Sequence, residues 1–255
     1  MKQTYSVALK RTLQWICLGL LFLASSASQA SLQVSPTHLF IAAERNADGI
    51  TLVNTGQELL YAQVRVYQWL QLDGKDQLQP TQEIIASPPV IELGPGVNQL
   101  VRIVRTGSPP DMAERSFRII IDELPVSYDK NITSANQPTG GLTFRLRYSI
   151  PVFIQPPQAV NLQPVLNSSL ISHEGEHFIR LSNEGNSHAH IADLTWIQSD
   201  DRTTIAPGLA GYVLPGEQRE WLLPKNINPK NGGDFSAKIN GELRERTLVT
   251  ITPTP

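Results

Sequence analysis

The chain is expected to fold as an all-β protein built from two sandwiches. Three observations lead there. Apolar and polar residues alternate with period two in several runs. Glycine and proline recur between those runs, and no stretch after the first thirty residues keeps a helical apolar period. The segment Gln155-Pro-Pro-Gln158 then breaks the strand series in two, because proline cannot donate to a ladder and stiffens the chain.

Residues 1–30 read as a secretory signal rather than as part of the fold. Lys2, Lys10 and Arg11 make a basic start, Trp15 to Ala24 an apolar run, and Ser28-Gln-Ala30 a small-x-small cleavage site. The alternative, a membrane anchor, needs about twenty apolar residues, twice the length of this run. Cleavage after Ala30 leaves 225 residues. It takes away three basic residues and no acidic one, so 18 cations face 23 anions, a net charge of −5. It also removes Cys17, the only cysteine, so the mature chain is an exported protein without a disulfide. The small charge excludes a nucleic-acid or polyanion binder. No other run approaches spanning length, so no membrane insertion of the mature chain is expected.

The first sandwich is assigned to 31–154. In Tyr61 to Trp69, one face carries Tyr61, Gln63, Arg65, Tyr67 and Trp69, the other Ala62, Val64, Val66 and Gln68. Leu100, Arg102 and Val104 alternate with Val101 and Ile103. Phe117 to Leu124 and Leu142 to Ile154 are rich in β-favouring residues. Asn54-Thr-Gly56, Asp73-Gly74, Gly94-Pro-Gly96 and Ser108-Pro-Pro-Asp111 supply turns between them. After a linker at 155–158, the second sandwich is assigned to 159–255, with strands at 159–165, 176–182, 189–198, 211–214, 219–223 and 247–251. A single sandwich of more than 200 residues is the alternative.

Catalytic constellations are poor, and an enzyme is not expected. His188-Ala-His190 offers two imidazoles but no third metal ligand, and reads better as a polar turn entering a strand. Asp122 and Glu123 are adjacent, so on a strand they point to opposite faces. There is no nucleophile elbow and no phosphate loop, and no cofactor or metal is implied.

The informative segment is Gly140 to Pro156. Leu142, Phe144, Leu146 and Tyr148 share one face of a long strand, with Thr143, Arg145 and Arg147 on the other. A long polar loop, 127–139, leads into it. Such a row either packs in its own core or is an edge offered to a partner by strand addition.

Several segments resemble the periplasmic pilus-assembly chaperones of the chaperone–usher pathway. They are Leu32-Gln-Val-Ser-Pro-Thr37; Ser87-Pro-Pro-Val90 with Leu93-Gly-Pro-Gly96 and Val101-Arg-Ile103; Glu114-Arg-Ser-Phe117 leading to Glu123-Leu-Pro125; and Leu142 to Pro156. Leu181-Ser-Asn183 and Leu214-Pro-Gly216 match more loosely. The resemblance runs from about Leu32 to Ile251. It implies two immunoglobulin-like β-sandwich domains in a boomerang arrangement, a periplasmic location, and a non-enzymatic role in pilus or fimbrium biogenesis. The partners implied are pilus or fimbrial subunits and an outer-membrane usher. The long strand would complete a subunit's open sandwich, with Leu142, Phe144, Leu146 and Tyr148 as donor residues. Better-known members anchor the subunit's C-terminal carboxylate with an Arg and a Lys, where this chain aligns His38 and Pro151. The replacement candidates are Arg118, then Arg147, then Arg102, since a guanidinium fork suits a carboxylate. Gln155 stands where an interdomain Arg often follows the strand. The ending Tyr148 to Phe153 resembles the archaic branch of the family. The rival function is a secreted adhesin or carbohydrate-binding sandwich, which would carry exposed aromatics on its loops.

Overall fold

The computed structural model describes residues 32–125, 145–157 and 160–252. Among these, seventeen strands and one short 3₁₀ turn at Pro229–Asn231 form four sheets. One sheet joins β1 (Leu32–Ser35), β3 (Ala47–Asn54), β8 (Asn98–Arg105) and β6 (Ile84–Ser87) in that order. The sheet facing it runs β2 (Leu39–Ile41), β10 (Arg147–Ile154), β9 (Arg115–Leu124), β4 (Leu60–Leu72) and β5 (Lys75–Pro80), with β7 (Val90–Leu93) also paired to β4. Leu32, Ile50, Leu52, Val101 and Ile103 meet Ala62, Val64, Phe117, Ile119, Ile121 and Val152 between these sheets, all buried. The alternation read from the sequence therefore fills this core from both sides.

A second core lies between two further sheets. One holds β11 (Leu166–His173), β12 (Glu176–Asn183) and β15 (Gln218–Leu222). The other runs β14 (Asp201–Val213), β13 (Ala189–Gln198), β16 (Gly233–Ile239) and β17 (Arg246–Ile251). Ile179, Leu181, Ile191, Trp196, Trp221 and Phe235 are at its centre. Two cores make two sandwiches, not one large one.

The second half differs from expectation in several places, among them β16 (Gly233–Ile239), a strand the sequence pattern does not suggest. Residues 161–165 form no strand. Their N–H groups go instead to loop side chains: Gln163 donates to Asn186 Oδ1 at 2.9 Å and Val165 to Asn183 Oδ1 at 3.1 Å. The first strand is Leu166–His173, whose Ser and Asn content hides its alternation. The β14 strand is also longer than 211–214, starting at Asp201.

Each sandwich is closed by the same device. Asn54 ends β3 and is fully buried. Its Nδ2 donates to the Glu58 and Leu93 carbonyls at 2.7 and 2.9 Å, and its Oδ1 accepts from Gly56 N–H at 2.9 Å. Asn183 ends β12 and repeats this, with Nδ2 on the Ser187 and Val213 carbonyls and Oδ1 accepting from Gly185 and Val165. In both, a glycine N–H donates to the Asn carbonyl, from Gly96 and Gly216, and both glycines hold positive φ (70° and 76°). Asn183→Ala strips several buried groups of partners at once. It is expected to lower stability by about 2–3 kcal/mol, read as a lower urea midpoint at unchanged m.

Candidate functional site

The edge of β10 is the first feature of the site. This strand pairs with β9 along its whole length, but with β2 only over Val152–Ile154. Glu123 N–H donates to the Leu146 carbonyl, so even-numbered residues turn their backbone groups toward β9. Arg147 and Ser149 turn theirs the other way, where no described strand covers them, and β2 begins beside Pro151, with Leu39 opposite Val152. Pro151, having no N–H, sits where β9 asks for none. On the inward face Ile150, Val152 and Ile154 are buried, while Leu146 and Tyr148 pack half-buried against the end of that core. The Tyr148 hydroxyl donates to the Leu32 carbonyl. Leu142 and Phe144 lie outside the described residues.

The outward face of the same sheet carries the cations. Arg118, opposite Pro151 on one side and Tyr67 on the other, lays its guanidinium 3.6 Å from the Trp69 ring centre and 5.4 Å from that of Tyr212. Its one hydrogen bond among the described residues is a long one, 3.4 Å to the Ser149 carbonyl, and no described carboxylate pairs with it. Burial lowers its pKa, with Arg219 adding to the effect and Asp76 and Tyr212 opposing it. It remains a cation, held partly out of water with donors to spare. Arg147 lies further along this face and is already used: it and Arg65 both bind Asp122. Partial burial pushes the Asp122 carboxyl up, but the two guanidiniums together outweigh this and hold it below the usual range. Arg102 stands apart from both. It lies between Gly49 and Ser87 on β8, on the outer face of the opposite sheet.

The two sandwiches meet beside Arg118. Trp69, Phe153 and Leu214 form a small buried cluster with Tyr212 against it. Phe153 stacks on the His188 ring at 3.6 Å and 5°. His188 donates its backbone N–H and its Nδ1 proton to one carboxylate oxygen of Glu114, at 2.9 and 2.7 Å. Glu114 N–H donates to the Asn186 carbonyl in return. His188 also lines a cavity of about 470 Å³ between the sandwiches, together with His38, Phe40, Phe153, His190 and Tyr212. Burial lowers the His190 pKa, with His188 and His38 adding to it. No group of three metal-ligating side chains occurs among the described residues. The polar-turn reading of His188 missed its partner: the bond to Glu114 spans 74 residues. The exposed aromatics that an adhesin reading requires are also absent at the tryptophans, since Trp69, Trp196 and Trp221 are all buried.

The family's sequence model, described as "Pili and flagellar-assembly chaperone, PapD N-terminal domain", matches residues 31–160, just over half the chain. The protein belongs to this chaperone family. No curated protein sequence matches it. Among solved structures it is similar to the chaperone–tip adhesion subunit complex CsuC–CsuE from archaic chaperone–usher Csu pili of Acinetobacter baumannii. There the TM-score is 0.68 at 25% identity, covering 89% of this chain and all of that one. It shares its fold with the SafB chaperone in complex with the SafA pilin of Salmonella enterica (TM-score 0.59, 16% identity, 88% and 98% covered). The CupB2 chaperone of Pseudomonas aeruginosa matches likewise (0.57, 17%, 85% and 100%). The family is one of chaperones, not of enzymes. No described helix of this chaperone is long and apolar enough to cross a membrane.

Proposed function

We propose that this chaperone works in the periplasm, captures pilus or fimbrial subunits by donor-strand complementation, and passes them to an outer-membrane usher. The observation that carries the reading is the open edge of β10 from Arg147 to Ser149, continuous in sequence with the apolar row Leu142, Phe144 and Leu146. An unpaired edge supplies main-chain bonds and the row supplies side chains for a groove. Burying each such side chain contributes about 1.5–3 kcal/mol, offset by the costs of association and ordering. Tyr148 closes the row, its hydroxyl tied to the first sandwich. The complex of CsuC with a tip subunit, and of SafB with a pilin, point to the same partner class. No cofactor enters this role. The domain limits that suit it are 31–154 and 159–255, with the linker at 155–158 and a signal over 1–30.

For the subunit's C-terminal carboxylate, Arg118 is the anchor we favour. It faces the joint, lacks a carboxylate partner among the described residues and is partly desolvated. Arg147 would first have to leave Asp122, and Arg102 faces away from the joint. Arg118→Ala is expected to weaken subunit binding by about 2–3 kcal/mol, 30- to 150-fold, measured on the subunit that co-purifies from a periplasmic extract. Unchanged affinity would remove Arg118 from this role. Arg118→Lys recovers the charge but not the fork, so partial rescue is expected.

A further inference from the structure

The joint contains one amide that is buried completely. Gln71 sits near the end of β4 with none of its surface exposed. Its Nε2 donates to the Tyr212 carbonyl at 2.9 Å, and its Oε1 accepts from Leu214 N–H at 3.0 Å. Tyr212 and Leu214 are two residues apart where β14 leaves the second sandwich. One amide thus engages a C=O and the N–H two residues on, as a strand residue does across a parallel ladder. The remaining Nε2 proton goes to Asp76 Oδ1 at 2.9 Å, and the other oxygen of Asp76 faces Arg219 of β15 at 3.4 Å. Every polar group of Gln71 is therefore satisfied in this one orientation of the two sandwiches. A relative rotation would strand a buried carbonyl and a buried N–H together, each at full desolvation cost.

The strand held in this way carries the second wall around Arg118. The Tyr212 ring meets Trp69 edge-on at 5.3 Å and lies 5.4 Å from the Arg118 guanidinium. Gln71 itself makes its side-chain hydrogen bonds to Asp76, Tyr212 and Leu214, not to Arg118, and does not line the cavity. We propose that Gln71 is a positioning residue: its amide sets the angle between the sandwiches and holds Tyr212 against Arg118, so that it governs how the joint presents its cation to a carboxylate. The second half of this statement rests on the reading of Arg118 as the carboxylate anchor.

The mature chain has no cysteine, so paired spin labels can be placed uniquely at Gln99 and Ser169, one exposed position on each sandwich. Double electron resonance on the full mature chaperone then reads the interdomain distance. The wild type is expected to give one narrow distribution and Gln71→Leu a broad one. Gln71→Glu keeps the acceptor for Leu214 N–H but loses the donor to Tyr212, and guards against a leucine variant that fails to fold; intermediate broadening is expected. In parallel, a short alternating Val/Thr peptide is titrated with a free C-terminal carboxylate and as its amide. A preference of about tenfold for the acid is expected in the wild type. It is expected to vanish in Gln71→Leu, in Arg118→Ala and in the double variant alike. A distribution that stays narrow in both Gln71 variants overturns the proposal. So does a broad one with the acid preference intact in Gln71→Leu when Arg118→Ala has lost it. If the wild type shows no acid preference, the anchor reading of Arg118 fails, and with it the positioning half; the angle-setting half is then decided by the distances alone.

Discussion

Phe144→Asp is expected to abolish subunit capture while leaving the chaperone folded. The substitution removes one of the large side chains of the proposed donor row, forfeiting about 1.5–3 kcal/mol of burial. It also carries an unpaired carboxylate toward an apolar groove, which costs several kcal/mol more. Together these exceed 4 kcal/mol, about a thousandfold in affinity. The chaperone's own first core is built from Ile150, Val152 and Ile154 further along β10, so its melting temperature is expected to stay near the wild-type value. Pull-down of a tagged chaperone from periplasm measures the first quantity and a thermal melt the second. Capture at the wild-type level would refute the donor row. Phe144→Leu, which stays apolar, is expected to retain capture.

Phe153→Ala is expected to give the largest loss of stability, about 3–5 kcal/mol. Phe153 is buried at the joint and has packed rings on several sides: His188 at 3.6 Å, Phe40 at 5.7 Å, Tyr212 at 6.1 Å and Trp69 at 6.2 Å. The cluster it belongs to is small, so neighbours cannot close the hole without moving one sandwich on the other. Water would then reach the Glu114–His188 contact, which is closed off by the same ring. Two separate calorimetric transitions are expected in place of coupled unfolding, the two sandwiches keeping their own cores. A single transition at the wild-type temperature would show that Phe153 does not couple them.

Much of the fold was legible because strand alternation is a local property of the backbone. Val101 and Ile103 against Leu100 and Arg102 reads the same in the sequence and in the structure, the first pair buried and Leu100 and Arg102 exposed. The misreadings come where side chains intervene in the backbone's bonding. A strand is expected over 159–165, yet Asn186 and Asn183 take the N–H groups of Gln163 and Val165. Leu166–His173 looks polar, yet Ser168 is acceptable facing inward because its hydroxyl donates to the Leu248 carbonyl.

The site divides along the same line. The apolar row ending at Tyr148, the prolines of the 155–158 linker and the single cation Arg118 in an otherwise apolar strand were all visible in nearby residues, because each is a matter of local pattern. The sequence therefore sufficed for two sandwiches, a strand with an apolar row and a short list of arginines. It ranked Arg118 ahead of Arg147 and Arg102, but it did not show what surrounds each of them. Those surroundings depend on which part of a strand face is covered by the other sandwich: on β4, Trp69 is buried while Arg65, on the same face, reaches water. The contacts responsible join residues far apart in the chain, 143 positions in the case of Gln71 and Leu214. No periodicity records such a pairing, since it arises only when two finished sandwiches settle at one angle and every buried polar group between them must find its partner.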